Sequence, residues 1–241
     1  MSETLFDKGS IIGDIVSSNY KAASIFYKYG IDFCCGGSRT LHSACNSLGI
    51  PVESVIDELS QYLNDQDLKS TELLEMSVAS LIQYILEKHH SYIRRIIPEI
   101  TQYASKVSRA HGKNHPEMCV VQSKFEQLST ELDSHLKKEE NSVFPALISY
   151  ENSINEKQIP DKLLIEEISK FMNQLDTEHI IAGGLMKEIH DLSNNFVPPS
   201  DGCNTFRILL QNLDQFEKDL HTHVHLENNV LFKKMEKLMV K

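Results

Sequence analysis

The sequence predicts an all-α protein: an antiparallel four-helix bundle preceded by a small N-terminal three-helix domain. Three observations carry this. Four long stretches, roughly 77 to 110, 117 to 150, 162 to 194 and 204 to 238, repeat apolar residues at helical steps of three and four. The joins between them, "HGKNHPE", "ENSINEKQIPD" and "NNFVPPSDGCN", are polar or carry proline and are short enough to return each helix antiparallel to the last. No segment shows the alternation of period two that a half-buried strand needs.

Taken in order, residues 10 to 64 read as three short helices: "IIGDIVSSNYKAASIFYKYG", "SRTLHSACNSLG" and "PVESVIDELSQYLN". Gly30 ends the first, and Pro51 suits the first turn of the third. The turn "CCGG" lies between the first two. The polar run "NDQDLKST" then interrupts the periodicity. The organisation expected is a small helical domain over 1–66, a linker over 67–76 and the bundle over 77–241.

The turn holds Cys34 and Cys35 side by side. Adjacent thiols are poorly spaced to chelate one metal, so the pair does not read as a zinc finger. Placed at a helix entrance, either thiol would have a lowered pKa and a redox or docking role. Two small buried side chains in a turn are the alternative reading.

Composition narrows the class further. A formal charge of −10 over 241 residues argues against nucleic acid and anionic membranes as partners, since both need clustered Lys and Arg. Five cysteines without a framework spacing suit a reducing compartment. The start "MSETLFDKGS" lacks a basic segment followed by an apolar run, and a cytoplasmic location is expected.

The chemistry lies where polar residues interrupt the bundle's apolar seams. The series Val121, Phe125, Leu128, Leu132 lands on His135 and then Glu139, and Leu209, Leu213, Phe216, Leu220 leads to His223, Glu227 and Val230. The third seam, Ile168, Met172, Leu175, His179, Ala182, holds one histidine, and His90 heads the stripe Ile93, Ile97, Ile100. Residues four apart share a helical face, so each HxxxE pair can grip one site. Two core carboxylates need a positive partner, and no seam Lys or Arg supplies one. A metal centre meets the need. His221 and His225 trace back through Lys218 and Asp214 and read as solvated; His89 competes with His90 for the first seam. His42, His111, His115, His190 and Glu178 read as surface.

Two six-coordinate ions offer about twelve positions, and the four histidines, two bridging glutamates and an oxo or hydroxo bridge leave about two for a small ligand. Mixed imidazole and carboxylate ligation suits iron, with manganese and zinc as alternatives.

The segments "DSHLKKEENSVFP", "DTEHIIAG", "HVHLENNVLF" and "YKYGIDFCCGGSRTL" resemble, in order, the repair-of-iron-centres family of di-iron iron-sulfur cluster repair proteins. That family joins an N-terminal ScdA-type domain to a hemerythrin-like bundle. The resemblance implies a non-haem di-iron protein of the cytoplasm that restores clusters damaged by nitrosative or oxidative stress, and it places the iron ligands at His90, His135, Glu139, His179, His223 and Glu227, with both glutamates bridging. It implies damaged iron-sulfur proteins as partners and nitric oxide, oxygen or peroxide as small ligands; a homodimer is compatible with it. A di-iron nitric oxide reductase or peroxidase-like enzyme, and an oxygen or nitric oxide sensor or carrier, are the alternative functions. The carrier is disfavoured because Gly183, not histidine, stands four residues after His179. Gly183 and Gly184 are expected to allow close helix packing or to leave a channel.

Overall fold

A computed structural model describes residues 6–63 and 68–240 of the chain, and these divide into two compact units, one drawn from residues 1–82 and 222–241, the other from 83–221. The described residues form helices and no strand; a single bridging pair joins Ile11 and Thr40. None of the helices is long and apolar enough to cross a membrane.

The first unit contains α1 (Ile12–Ser18), α2 (Ala22–Lys28), α3 (Leu41–Leu48), α4 (Val52–Tyr62) and α5 (Leu68–Glu75). The single helix expected over "IIGDIVSSNYKAASIFYKYG" is therefore two. Asn19 divides them: its backbone is extended and its side-chain oxygen accepts the Lys21 N–H at 3.1 Å. Such local bonding competes with helix continuation. The Tyr20 N–H that follows donates to Ser70 Oγ at 2.8 Å. Helix α3 begins and ends on conventional signals, Thr40 accepting from the Ser43 N–H and Gly49 closing the helix at a φ of 68°. Within the stretch read as linker, residues 64–67 lie outside the described residues, while α5 forms over Leu68–Glu75 with Ser70 and Leu73 buried.

Most of the bundle belongs to the second unit; residues 78–82 and those from Thr222 onward belong to the first. Helix α6 (Val78–Ile85) passes through a π turn, Leu86–His90, into α7 (Ser91–His111). Helix α8 (Glu117–Lys138) passes through a second, Glu139–Val143, into α9 (Phe144–Asn155), and α10 (Lys162–Leu192) is unbroken. Helix α11 (Asn204–His225) passes through a third π turn, Leu226–Leu231, into α12 (Phe232–Met239). The four rods match the expected stretches to within a few residues. Asp161 caps α10 by accepting the Leu163 N–H at 3.0 Å, and Pro145 follows the π turn Glu139–Val143 as the second residue of α9. The seam residues Val121, Phe125, Leu128, Ile168, Leu175, Leu209, Leu213 and Phe216 are buried, with the rings of Phe125 and Phe216 edge to face at 5.5 Å. Each such side chain contributes about 1.5–3 kcal/mol by leaving water. A Cβ built on Gly184 would meet nothing within 4 Å, so close packing does not explain that glycine.

In the first unit the segment after His221 is gripped by the N-terminal residues. Lys233 Nζ meets Asp14 at 2.9 Å, and Tyr20 hydrogen-bonds Thr222. The Asn229 side chain is wedged between two glycines: a Cβ on Gly13 would lie 2.3 Å from Asn229 Oδ1, and one on Gly37 2.5 Å from the same atom. Gly13→Ala is expected to destabilise the protein by about 1–3 kcal/mol, read as a lower midpoint in urea; an unchanged midpoint would mean that Asn229 moves aside without loss.

Candidate metal centre

All six residues picked from the seams are buried: His90, His135, Glu139, His179, His223 and Glu227. In the second unit, three of them come together, with donor atoms of His135, Glu139 and His179 within 4.8 Å of one another. Glu139, with no solvent exposure, has His135 Nε2 at 3.2 Å from one carboxylate oxygen and His90 Nε2 at 3.4 Å from the other. His135 Nε2 lies 3.1 Å from His179 Nε2. Two nitrogens bound side by side to one six-coordinate ion at about 2.1 Å each would stand about 3.0 Å apart, which the observed separation matches. In the first unit His223 Nε2 faces Glu227 Oε1 at 2.9 Å, one helical turn away, both fully buried.

The outer nitrogens fix what the inner ones can do. His90 Nδ1 bonds Glu140 at 2.8 Å, and His135 Nδ1 bonds Glu178 at 2.9 Å. An ionised carboxylate only accepts, so each Nδ1 carries the proton and each Nε2 presents a lone pair. Both carboxylates are held ionised. The hydrogen bond from His135 draws Glu178 down to about 2 despite partial burial, with Lys138 assisting. Glu140 is lowered in spite of its burial, by hydrogen bonds from Arg94 and His90; Arg94 reaches it at 2.8 Å. This pairing of a carboxylate with the far nitrogen of a histidine is how proteins orient metal-binding imidazoles and raise their basicity. The donor set therefore fits a metal.

Three expectations need correction. Glu178, read as surface, is half-buried and orients His135 from another helix. His225, read as solvated, is buried in the first unit, its Nδ1 at 3.4 Å from the Phe33 carbonyl and its ring edge-on to Phe33. Its burial pushes the imidazole down to about 4, leaving it neutral. Cys34 does not have a lowered pKa. Its thiol is raised, by the hydrogen bond to Cys35, by burial and by the Asp32 charge. The amides that were to favour a thiolate are already taken: the Asp32 carboxylate accepts from the N–H groups of Cys34, Cys35 and Gly36 at 2.9–3.0 Å.

Most of the remaining histidines have local partners. His89 is buried beside His90 but bonds Asp219 at 3.0 Å. His115 bonds Asp201 and Glu117, His190 bonds the buried Glu217, His111 bonds Cys203, and His42 is exposed.

Residues 8–62 match the family model described as domain of unknown function DUF542 (ScdA_N), and residues 81–166 match the hemerythrin HHE cation binding domain, which takes in His90, His135 and Glu139. The chain is 33% identical to the iron-sulfur cluster repair protein ScdA of Staphylococcus haemolyticus, over 93% of its own length and 97% of that relative. The chain belongs to the iron-sulfur cluster repair protein family. The similarly named ScdA of Staphylococcus epidermidis is 32% identical over 96% of the chain, and the family extends to the repair protein YtfE of Yersinia pseudotuberculosis at 28% over 92%. Both modules of the family, the DUF542 domain and the cation-binding domain, occur here in the same order as the resemblance implies.

Proposed function

We propose that the protein repairs damaged iron-sulfur clusters as a non-haem di-iron protein, with two irons held by His90, His135, Glu139, His179, His223 and Glu227 and bridged by the two glutamates and an oxo or hydroxo group. One observation supports this above others: two imidazoles turn their lone pairs toward a fully buried carboxylate, each locked in that tautomer by an ionised glutamate behind it. Iron bound there supplies redox chemistry and, on release, the metal a damaged cluster needs. The relatives' names give cluster repair as the task, and damaged iron-sulfur proteins are the partners this reading requires. Nitric oxide, oxygen and peroxide are the small ligands it admits, and the cytoplasm is the compartment it suits. The division into an N-terminal module over 1–66, a joining segment over 67–76 and a metal module over 77–241 belongs to the same proposal.

The residues of this chain set the terms of holding and releasing metal. Glu140 and Glu178 accept from Nδ1 of His90 and His135, so Nε2 is the nitrogen that each neutral ring would offer to a metal. Arg94 and Lys138 balance those carboxylates at the surface, so the net negative charge of Glu139 is left for the metal.

The test combines metal analysis and Mössbauer spectroscopy of the purified protein with reactivation of a cluster enzyme inactivated by nitric oxide. About two irons per chain and stoichiometric reactivation are expected. Catalytic consumption of nitric oxide without reactivation would instead assign the reductase activity. Chelation of the metal is expected to lower the melting temperature by about 5 °C or more, since binding to the folded state alone stabilises it; equal melting of the two forms would remove the metal from the fold's support.

A further inference from the structure

The "CCGG" turn remains without a role in metal binding, and its geometry is specific. Cys34 is buried, Cys35 is half-exposed, and their sulfurs lie 3.9 Å apart. The Cys34 S–H donates to Asp32 Oδ1 at 3.2 Å. Behind the turn, the Asn229 amide donates to the Cys34 carbonyl at 3.0 Å and to the Phe33 carbonyl at 3.3 Å. Asn229 belongs to the π turn Leu226–Leu231, which also carries Glu227.

We propose that Cys34 and Cys35 form a thiol–disulfide exchange site for a low-molecular-weight disulfide, with Cys35 entering, Cys34 resolving, and Asn229 transmitting closure of the pair to the Leu226–Leu231 turn. The order of attack follows from access and charge. Only Cys35 is open to solvent, while Cys34 is covered and faces a carboxylate that keeps it a thiol. In the first step the Cys35 thiolate attacks one sulfur of the disulfide RSSR, forming a Cys35–SR bond and expelling RS⁻. In the second, Cys34 loses its proton to solvent, the Cys34 thiolate attacks Cys35 Sγ, and the Cys35–SR bond breaks. The departing RS⁻ collects the proton. Two protein thiols are oxidised to a disulfide and RSSR is reduced to two RSH.

Closure cannot occur in the turn as it stands. Neighbouring Cα atoms stand about 3.8 Å apart across a trans peptide, below the usual separation of about 4.4–6.8 Å in a disulfide, so closing the pair strains the turn backbone and moves it. Its carbonyls at Phe33 and Cys34 are the ones Asn229 holds, and Asn229 is confined between Gly13 and Gly37. Movement of the turn therefore breaks those bonds and frees the Leu226–Leu231 turn. The proposal stands on the thiol turn alone and holds whichever metal the histidines carry.

The experiment uses the full-length, metal-loaded chain with Cys119→Ser and Cys203→Ser, which removes the two exposed thiols. It is treated with oxidised glutathione and followed by peptide mass. The pair is expected to close, read as loss of two hydrogens. Cys34→Ser is expected to stop at one bound glutathione, and Cys35→Ser to react at least about tenfold more slowly. Asp32→Asn is expected to quicken the second step more than the first, because the charge that holds Cys34 as a thiol is gone, which a merely structural aspartate would not do. Hydrogen exchange of residues 226–231 is expected to quicken about tenfold on closure, and Asn229→Ser to show that fast exchange already in the reduced form. A pair that never closes, glutathione trapped on Cys34, or closure with unchanged exchange at 226–231 would each overturn the proposal.

Discussion

Changing Glu139 to glutamine is expected to empty the centre of metal and, at the same time, to make the metal-free chain more stable than its parent. The two effects have one cause. Glu139 is fully buried, with histidine nitrogens at 3.2 and 3.4 Å, and its charge is useful only when a cation meets it. Glutamine keeps the shape and loses the charge. The metal-free interior then holds no buried carboxylate charge at that position. Iron content is expected to fall from about two per chain to below about half an equivalent, because an amide is a poor bridging ligand. The metal-free variant is expected to gain about 1–3 kcal/mol over the metal-free parent, a few degrees in melting temperature. Elemental analysis and paired thermal melts decide it. A metal-free variant that melts below its parent would show that Glu139 serves as a structural partner of the histidines.

Removing residues 1–76 is expected to cost most of the iron, even though none of the six proposed ligands is removed. His223 and Glu227 lie in a segment, 222–240, that belongs to the same compact unit as the N-terminal residues. Its side chains Leu226, Val230, Leu231, Phe232 and Met235 are buried, as are His225 and Asn229. Each large apolar side chain returned to water forfeits about 1.5–3 kcal/mol, and the wedge between Gly13 and Gly37 is lost as well. Iron per chain is expected to fall by more than about half and melting by about 10 °C or more. Full iron in the truncated protein would mean that α11 and its π turn hold their two ligands without the N-terminal cover.

The four rods were legible because each buries one stripe, and a stripe leaves a period of 3.6 in the sequence. The same logic exposed His135, Glu139, His179, His223 and Glu227 as polar groups at apolar positions. It failed where a helix is covered on more than one side. His225 looks like the solvated face of α11, yet Phe33 and Ser17 lie against it, contributed by residues about two hundred positions earlier. Glu178 failed differently: it acts across helices on His135, and nothing in the local sequence marks an acidic residue that orients a ligand on another helix. The break at Asn19 escaped because the apolar pattern on either side of it runs on, and only the side-chain bond to Lys21 shows the interruption. The thiol pKa was misjudged because Asp32, two residues before Cys34, takes the turn amides for itself.

Three π turns, Leu86–His90, Glu139–Val143 and Leu226–Leu231, contain His90, Glu139 and Glu227. A π turn is in effect an α-helix with about one residue too many, the excess absorbed as a local widening. Each rod thus keeps its phase before and after the widening, so the apolar stripe stays in line while the residue at the bulge is pushed inward. This makes the chain's tolerance of length changes asymmetric. Deleting one exposed residue inside a bulge, such as Asn141, would let that turn relax to ordinary helix with the downstream core still in phase. Deleting one residue elsewhere in the rod would rotate everything beyond it by about 100°. The first deletion is expected to yield a well-folded bundle that has lost its metal, the second a misfolded one. A surplus residue at each of these three places is the length the helices give up in regularity to bring a ligand within reach.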